Sequence, residues 1–554
     1  MIKTEVSAFP MIRLLPRLLG VFALPLTVVA VEKLGYHEIQ TDAQGHIVPW
    51  FDAEPGKSYD HVIRVVWDFW RTMRTDQNGL PYYLNHQVWR PDSPDRRGLG
   101  GDQLQMAMSS WRLLYAYSGD ERVKENQRLL ADWYLVHGLS PADCRWPNIP
   151  FPYNTLVYSG VYDGDMILGK DYAQVDKAGS LGLELLRLYQ IVSQYPNASV
   201  GRYLDAAIAI ADTLADNVRP GDAEQSPLPF KVNVRTGEPG RLKSDNRDGR
   251  DMGASTYTTN WAPTLELWLE LVRLHVGRTA EYQRAADVVL AWMKSYPIVN
   301  QKWGPFFEDI PGWSDTQINA VTWVRFMLEH RELFPGWKTD VDRIFHWVYS
   351  TLGNDAWKNY GVIVVNEQTV YEIPGNSHTA RQAATELLFA SLTGDDSRRA
   401  NAIRQLNWAT YMVDFDGKNR YPQDDIWLTD GYGDYVRHYL RAMAADPELA
   451  PSGANHLLSS TSVIQQIEYQ ATSNGSISPP AKDIPVNTIM VTYVTFDSGG
   501  TEVLRLARKP SRVLVGDRLL AENSEVGSFT WRELAKGGVL TINRANGNRV
   551  FILE

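Results

Sequence analysis

Tyr117-Ser118-Gly119-Asp120-Glu121 lies between two amphipathic segments and marks the unit from which the chain is built. A glycine just past one helix followed by an acid at the start of the next is stop-and-start chemistry, because glycine accepts the left-handed closing turn and the acid caps free N–H groups. The same turn recurs as His275-Val276-Gly277-Arg278, Leu333-Phe334-Pro335-Gly336-Trp337 and Leu392-Thr393-Gly394-Asp395-Asp396, with a Pro-Asn stop at Tyr195-Pro196-Asn197. A recurrence of roughly 58 to 80 residues marks an internal repeat of helical hairpins.

Outward from these turns, apolar residues recur at helical spacing from Lys57 to Ala445, as in Val62, Val65, Val66, Phe69 and Trp70, and long strand-like runs are absent. About twelve helices are expected, beginning near Tyr59, Gln103, Asp120, Tyr172, Val200, Ser255, Thr279, Thr316, Thr339, Thr379, Ser397 and Gly431. The other connections are long: Asp76 to Asp102, Ser140 to Lys170, Arg219 to Asp251, Asn300 to Asp315, Asn354 to Ser377 and Asp414 to Asp434. Tight turns at one end and long loops at the other predict six inner and six outer helices closing into a ring, with the inner N-termini at an elaborated mouth.

This arrangement resembles the α/α toroid of six hairpins shared by many glycoside hydrolases and polysaccharide lyases. The resemblance covers roughly residues 57 to 445 and rests on repeat architecture and loop character. It implies a mainly α fold and a carbohydrate-active enzyme without naming a reaction.

Beyond Pro451, segments such as 488–494, 503–506, 513–515, 539–542 and 550–553 are short, β-rich and bounded by turn residues. The expected division is a signal peptide over 1–30, an N-terminal extension over 31–56, the toroid over 57–450, a linker over 451–485 and a small C-terminal β-sandwich over 486–554. Arg13 and Arg17 precede an apolar run from Leu18 to Val29 that ends at Ala30, the pattern of an export signal and too short for a membrane span. Secretion or periplasmic residence follows, with no membrane attachment after cleavage.

A net charge of −10 gives no footprint for nucleic-acid binding, and the single cysteine allows neither a disulfide nor a cysteine zinc site. Nearly all of the negative surplus falls on the long loops, which predicts an anionic mouth suited to neutral sugars. Hydrolysis of a glycoside needs two carboxyl groups across the bond. Asp102, Asp165, Glu308 and Asp425 form the acid/base shortlist, with Asp163, Asp309 and Asp424 beside them. Flat rings among the acids suit sugar faces: Trp89, Tyr257, Trp261, Trp313 and Trp427 are candidate subsites, with Glu372 and Arg381 as polar partners. Any one acid at a helix start also serves as a simple cap. A structural calcium ion competes for Asp163-Gly164-Asp165 and for Asp414-Phe415-Asp416-Gly417, although neither fits the twelve-residue calcium loop. No cofactor is called for.

The leading expectation is a hydrolase of oligo- or polysaccharides. Its rival is β-elimination at a uronate, for which Asn376, His378 and Arg381, with Tyr257 and Asn260 in a second loop and Tyr432 in a third, supply a base and carboxylate-neutralising groups. A sugar isomerase or a non-catalytic binder stands behind both.

Overall fold

The computed structural model describes residues 32–85, 100–156, 159–195, 198–243, 251–306, 313–420, 432–470, 477 and 488–554. The signal-peptide expectation therefore lies outside the described residues. Lys33–Glu554 is one compact unit.

Among the described residues the long helices are α1 (Pro55–Arg71), α2 (Gly101–Ser118), α3 (Glu121–His137), α4 (Val175–Val192), α5 (Ala198–Asn217), α6 (Ala262–Arg273), α7 (Thr279–Ser295), α8 (Gln317–Glu329), α9 (Trp337–Leu352), α10 (Asn376–Thr393), α11 (Arg399–Thr410) and α12 (Tyr432–Ala445). The even-numbered helices form the inner ring, each packed on the next, with α12 returning to α2. The outer helices α3, α5, α7, α9 and α11 each pack on the inner helix before them, and α1 packs on α12, so that the two ends of the repeat complete the sixth hairpin. This is the α/α toroid.

Local chemistry explains most boundaries. Gly119 adopts φ +69° and donates to Tyr115 O, while the Asp120 carboxylate accepts from Arg122 N at 3.0 Å. Gly336 is different: its φ is −95° and it is the N-cap of α9, because a short 3-10 turn, Arg331–Leu333, has already ended α8. Helix α6 begins at Ala262, not near Ser255. Asp251–Ala254 is instead a strand paired with Arg241–Lys243, and Pro263 in the first turn lacks the N–H that a helix start leaves free. Inner helices approach closely where side chains are absent: a Cβ on Gly433 would meet Gln103 O at 2.5 Å.

Trp70, Trp111 and Trp268 are fully buried in the helical layers, as their helical positions predict, and Trp133 and Trp347 are only partly covered. Each buried indole removes about 200 Å² from water, worth about 5 kcal/mol before entropy is counted.

The C-terminal strands are β1 (His456–Ser460), β2 (Ile464–Tyr469), β3 (Ile489–Thr495), β4 (Gly500–Leu506), β5 (Arg512–Val515), β6 (Arg518–Leu519), β7 (Ser528–Glu533), β8 (Gly538–Arg544) and β9 (Arg549–Leu553). They form two antiparallel sheets, ordered β1-β4-β8-β7 and β2-β3-β9-β5-β6. Leu504, Leu540 and Ile542 of the first sheet and Val491, Val550 and Ile552 of the second belong to one apolar core. Strands β1 and β2 occupy the stretch expected to be linker. These two strands, one in each sheet, and the turn between them close the floor of the ring: Gln465 Nε2 donates to Gln190 O at 2.8 Å, Tyr469 OH to Ala116 O at 2.6 Å, and a His456 ring nitrogen lies 3.0 Å from Tyr117 O. Among the described residues no helix is long and apolar enough to cross a membrane.

Candidate functional site

The six inner helices start at Gly101, Val175, Ala262, Gln317, Asn376 and Tyr432, and the long connections lead into these starts. Below them lies a cavity of about 390 Å³ that runs from Asp102, Asn260 and Arg381 at the mouth to Ser459 and Thr461, at the turn between β1 and β2, on the floor. Helix N-termini carry unpaired N–H groups and a positive dipole end, so the mouth favours carboxylates and developing oxyanions.

Two buried polar clusters frame the mouth. In the first, Asp176 on α4 accepts from Lys177 Nζ at 2.7 Å and from Asn260 Nδ2 at 3.0 Å, while its Oδ1 makes no hydrogen bond. Burial pushes this carboxyl up despite the neighbouring ammonium. Lys177 also donates to Phe306 O at 2.8 Å and sits over that ring. In the second cluster, Asp434 of α12 is paired with Arg381 of α10 and with Arg437, accepts from Ser377 Oγ, and lies 3.1 Å from His438 Nε2. Burial alone would raise Asp434, but Arg381 and Arg437 hold it well below the usual carboxylate range. Burial lowers His438 to about 3 against the pull of Asp434, and it drives His378 well below its ordinary value with help from Arg381. Both imidazoles are therefore neutral at pH 7. Arg381 also donates to Gln317 Oε1 of α8 at 3.0 Å, which ties three inner helices together.

The expected site residues divide sharply. Asp102 is buried in the first turn of α2 and lines the cavity, and Arg381 lines it from α10. Asn376 and His378 lie in the first turn of α10, beside the start of α12 at Tyr432. Trp313 is 43% exposed on the loop into α8, with Tyr257 5.0 Å away between ring centres and Lys302 over both rings. Glu372 is exposed on a β-hairpin that precedes α10. Trp89, Glu308, Asp424, Asp425 and Trp427 lie outside the described residues.

Three expectations need correction. Asp165 is fully buried and its carboxylate is already committed, to the Ile167 and Leu168 N–H groups at 2.9 Å, Gln174 Nε2 at 3.1 Å and Lys231 Nζ at 3.0 Å. It organises its loop and has no free oxygen for a substrate. Trp261 is fully buried, with its Nε1 donating to Thr258 O at 2.8 Å, so it packs and does not present a sugar platform. Asp163 holds Thr155 through N and Oγ1 at 2.8 and 2.9 Å, a turn-stabilising role. The same economy answers the calcium reading: Asp165 pairs with Lys231, Asp414 with Arg420 and Asp416 with Lys418.

The anionic-mouth expectation rests partly on Glu308, Asp309, Asp424 and Asp425, which lie outside the described residues, and the cavity below the mouth is basic. Asp102, Glu184, Glu266 and Glu329 line it against seven basic side chains, six of them arginines. Two pairs form along its wall: Arg112 of α2 meets Glu184 of α4 at 3.2 Å, and Arg325 meets Glu329 one turn on along α8 at 2.6 Å. Burial and the Glu329 charge push Glu266 up, whereas Arg325 and Arg441 outweigh burial at Glu329 and hold it down. The sequence reading missed these groups because they sit inside helices, where spacing alone makes them resemble solvent-facing positions.

No family model matches the chain and no curated protein matches it by sequence. Solved structures do match. A cellobiose 2-epimerase from Spirochaeta thermophila aligns at 12% identity and a TM-score of 0.50 over 71% of this chain and 96% of that one. A sugar epimerase from a ruminal bacterium gives 12% and 0.48 over 70% and 98%, and a family 76 glycoside hydrolase from a bovine Bacteroides thetaiotaomicron strain gives 14% and 0.44 over 72% and 79%. At such identities the likeness is one of fold.

Proposed function

We propose that this protein is a carbohydrate-active enzyme that takes an oligo- or polysaccharide into the mouth of the toroid and hydrolyses a glycosidic bond there. The observation that carries the reading is Asp102: a carboxylate selected from the sequence for acid/base work sits at an inner-helix N-terminus on the wall of the central cavity. The second carboxylate is drawn from the loops that carry Glu308 and Asp425, and the exposed Trp313 ring supplies a stacking face for a pyranose. Carbohydrate-processing enzymes share the fold, which is consistent with this reading and does not select the reaction.

A second reading, β-elimination at a uronate, is favoured by one specific feature. Asn376, His378 and Arg381 lie on the opening turns of α10 beside the start of α12, and the basic surplus of the cavity suits a carboxylate-bearing sugar. Incubation with neutral and uronate-containing glycans, followed by product analysis, separates the two. Hydrolysis yields a new reducing end with uptake of water, elimination an unsaturated product absorbing in the near ultraviolet, and absence of any product from a broad glycan set refutes both. For the hydrolase, Asp102→Asn lowers kcat by about 10² to 10⁴. The basic-flanked apolar run up to Ala30 supports export, which N-terminal sequencing of the mature protein from its source cells tests.

A further inference from the structure

Asp434, Arg437 and Arg441 fall on one face of α12, three and four residues apart, so this face descends from the mouth into the channel. Asp434 and Arg437 are paired with each other. Arg441 is not: among the described residues its guanidinium makes no hydrogen bond and no ion pair, and it lines the cavity. Its neighbours deepen the imbalance. Arg112 and Arg325 also line this part of the channel, each committed to one glutamate, and the Nε groups of Arg325 and Arg437 are buried without a hydrogen-bond partner. Burial, reinforced by the charges of Arg325 and Arg437, lowers Arg441 well below the ordinary arginine value, and the Glu329 carboxylate, already paired with Arg325, offsets this only in part. The carboxylates in reach do not cancel it. Glu184 belongs to Arg112, Glu329 to Arg325, and Glu266 is shifted toward its neutral form by burial and by Glu329. Across from these groups Ser459, Ser460, Thr461 and Ser462 of the β1–β2 turn close the floor, adding hydroxyl groups at the end of the cavity.

We infer that the floor of the channel, centred on Arg441 and flanked by Arg112, Arg325 and Arg437, is a binding site for a small oxyanion of the carboxylate, sulfate or phosphate class. A planar guanidinium with all its donors unspent donates to two oxygens of one anion side by side, and the unpaired Nε groups of Arg325 and Arg437 offer further donors. The cavity of about 390 Å³ has room for such an ion or for the acidic end of a sugar reaching down from the mouth. The inference stands on the floor residues and is independent of the reaction proposed for the mouth.

The test is calorimetric titration of the full chain with sodium sulfate, sodium phosphate and sodium glucuronate, each at ionic strength held constant with sodium chloride. Saturable one-to-one binding is expected. Arg441→Met, which removes the guanidinium without stranding any partner, should weaken it tenfold or more, and Arg441→Lys should recover part of the loss. Binding of the inorganic ions places the site as an independent oxyanion pocket. Binding of glucuronate alone assigns it to the acidic group of a saccharide. Absence of saturable binding by all three, or unchanged affinity in a folded Arg441→Met protein as judged by circular dichroism, overturns the inference. Because product analysis on the wild-type protein needs none of these variants, failure here and failure of the glycan reading are told apart.

Discussion

Replacing Asp434 by asparagine keeps the shape of the side chain and removes its charge from beside the buried Arg381 and the largely covered Arg437. In the native protein that carboxylate pairs with Arg381 and Arg437, accepts from Ser377 and faces His438; all but Arg437, which borders the cavity, are buried. The variant removes the charge that both arginines share, while the neutral groups of Gln317 and Ser377 stay beside Arg381 and that of Ser109 beside Arg437. Breaking a buried pair by removing one member costs about 3–5 kcal/mol, because the remaining charge is stranded. With an unfolding entropy of about 2.1 cal/mol/K per residue, a unit of this size carries about 1.1 kcal/mol/K, so Tm should fall by about 3–5 °C at pH 7. The sign with pH is fixed by the direction of the shift. A carboxyl held well below its ordinary value stabilises the fold above about pH 4, and this contribution disappears as pH falls through the lowered folded value. Scanning calorimetry of wild type and Asp434→Asn from pH 7 to pH 3, at one scan rate, should therefore show a gap in Tm that narrows as the buffer becomes acidic. A gap under 1 °C at pH 7, or one that stays constant to pH 3, refutes the view that this carboxylate is the ionic link between α10 and α12.

Asp165→Asn breaks the buried pair with Lys231, so it should lower Tm by about 3–5 °C while leaving kcat on the best glycan within about threefold; loss of activity at unchanged Tm would return Asp165 to the catalytic list. Trp313→Ala removes the exposed ring beside Tyr257 and Lys302, and steady-state kinetics should show KM raised about 5- to 30-fold, the equivalent of about 1–2 kcal/mol, with kcat little changed; a loss confined to kcat contradicts a stacking role. Burial raises Glu386 to about 7, so the folded state resists losing that proton and stability declines as pH rises from about 4.5 through 7. At about 1.4 kcal/mol per pH unit the wild type gives up about 3 kcal/mol across that window. Glu386→Gln, which still accepts from Gln382, should flatten the decline, and an identical pH profile in the two proteins rules the assignment out.

What the sequence could reveal follows from which interactions are local. Helix starts and stops are decided within four or five residues, so the Gly119 and Asp120 signals place α2 and α3 without knowledge of the ring. The Gly336 turn misleads because a helix can end before its glycine when a 3-10 turn intervenes, and no local residue type announces that. Acid chemistry is legible as a residue type but not as a state. Asp102 and Asp165 look alike in one dimension, and only the fold brings Lys231 from a separate strand to neutralise the second.

A toroid adds a difficulty of its own. Its inner helices bury one face against the outer ring and turn another toward a channel, so charged residues at helical spacing face inward. In an ordinary amphipathic helix the same positions would be solvent. Arg112, Glu184, Glu266, Arg325, Glu329 and Arg441 were unreadable for that reason, and the polar run Ser459 to Ser462 resembled a linker because its turn meets this channel. The consequence reaches beyond prediction. An apolar channel would need nothing at its floor, whereas charged groups facing one cavity must be matched in pairs or by a ligand. Arg112 with Glu184 and Arg325 with Glu329 are matched, and Glu266 is shifted toward its neutral form, which leaves Arg441 as the group whose charge balance points to a bound anion.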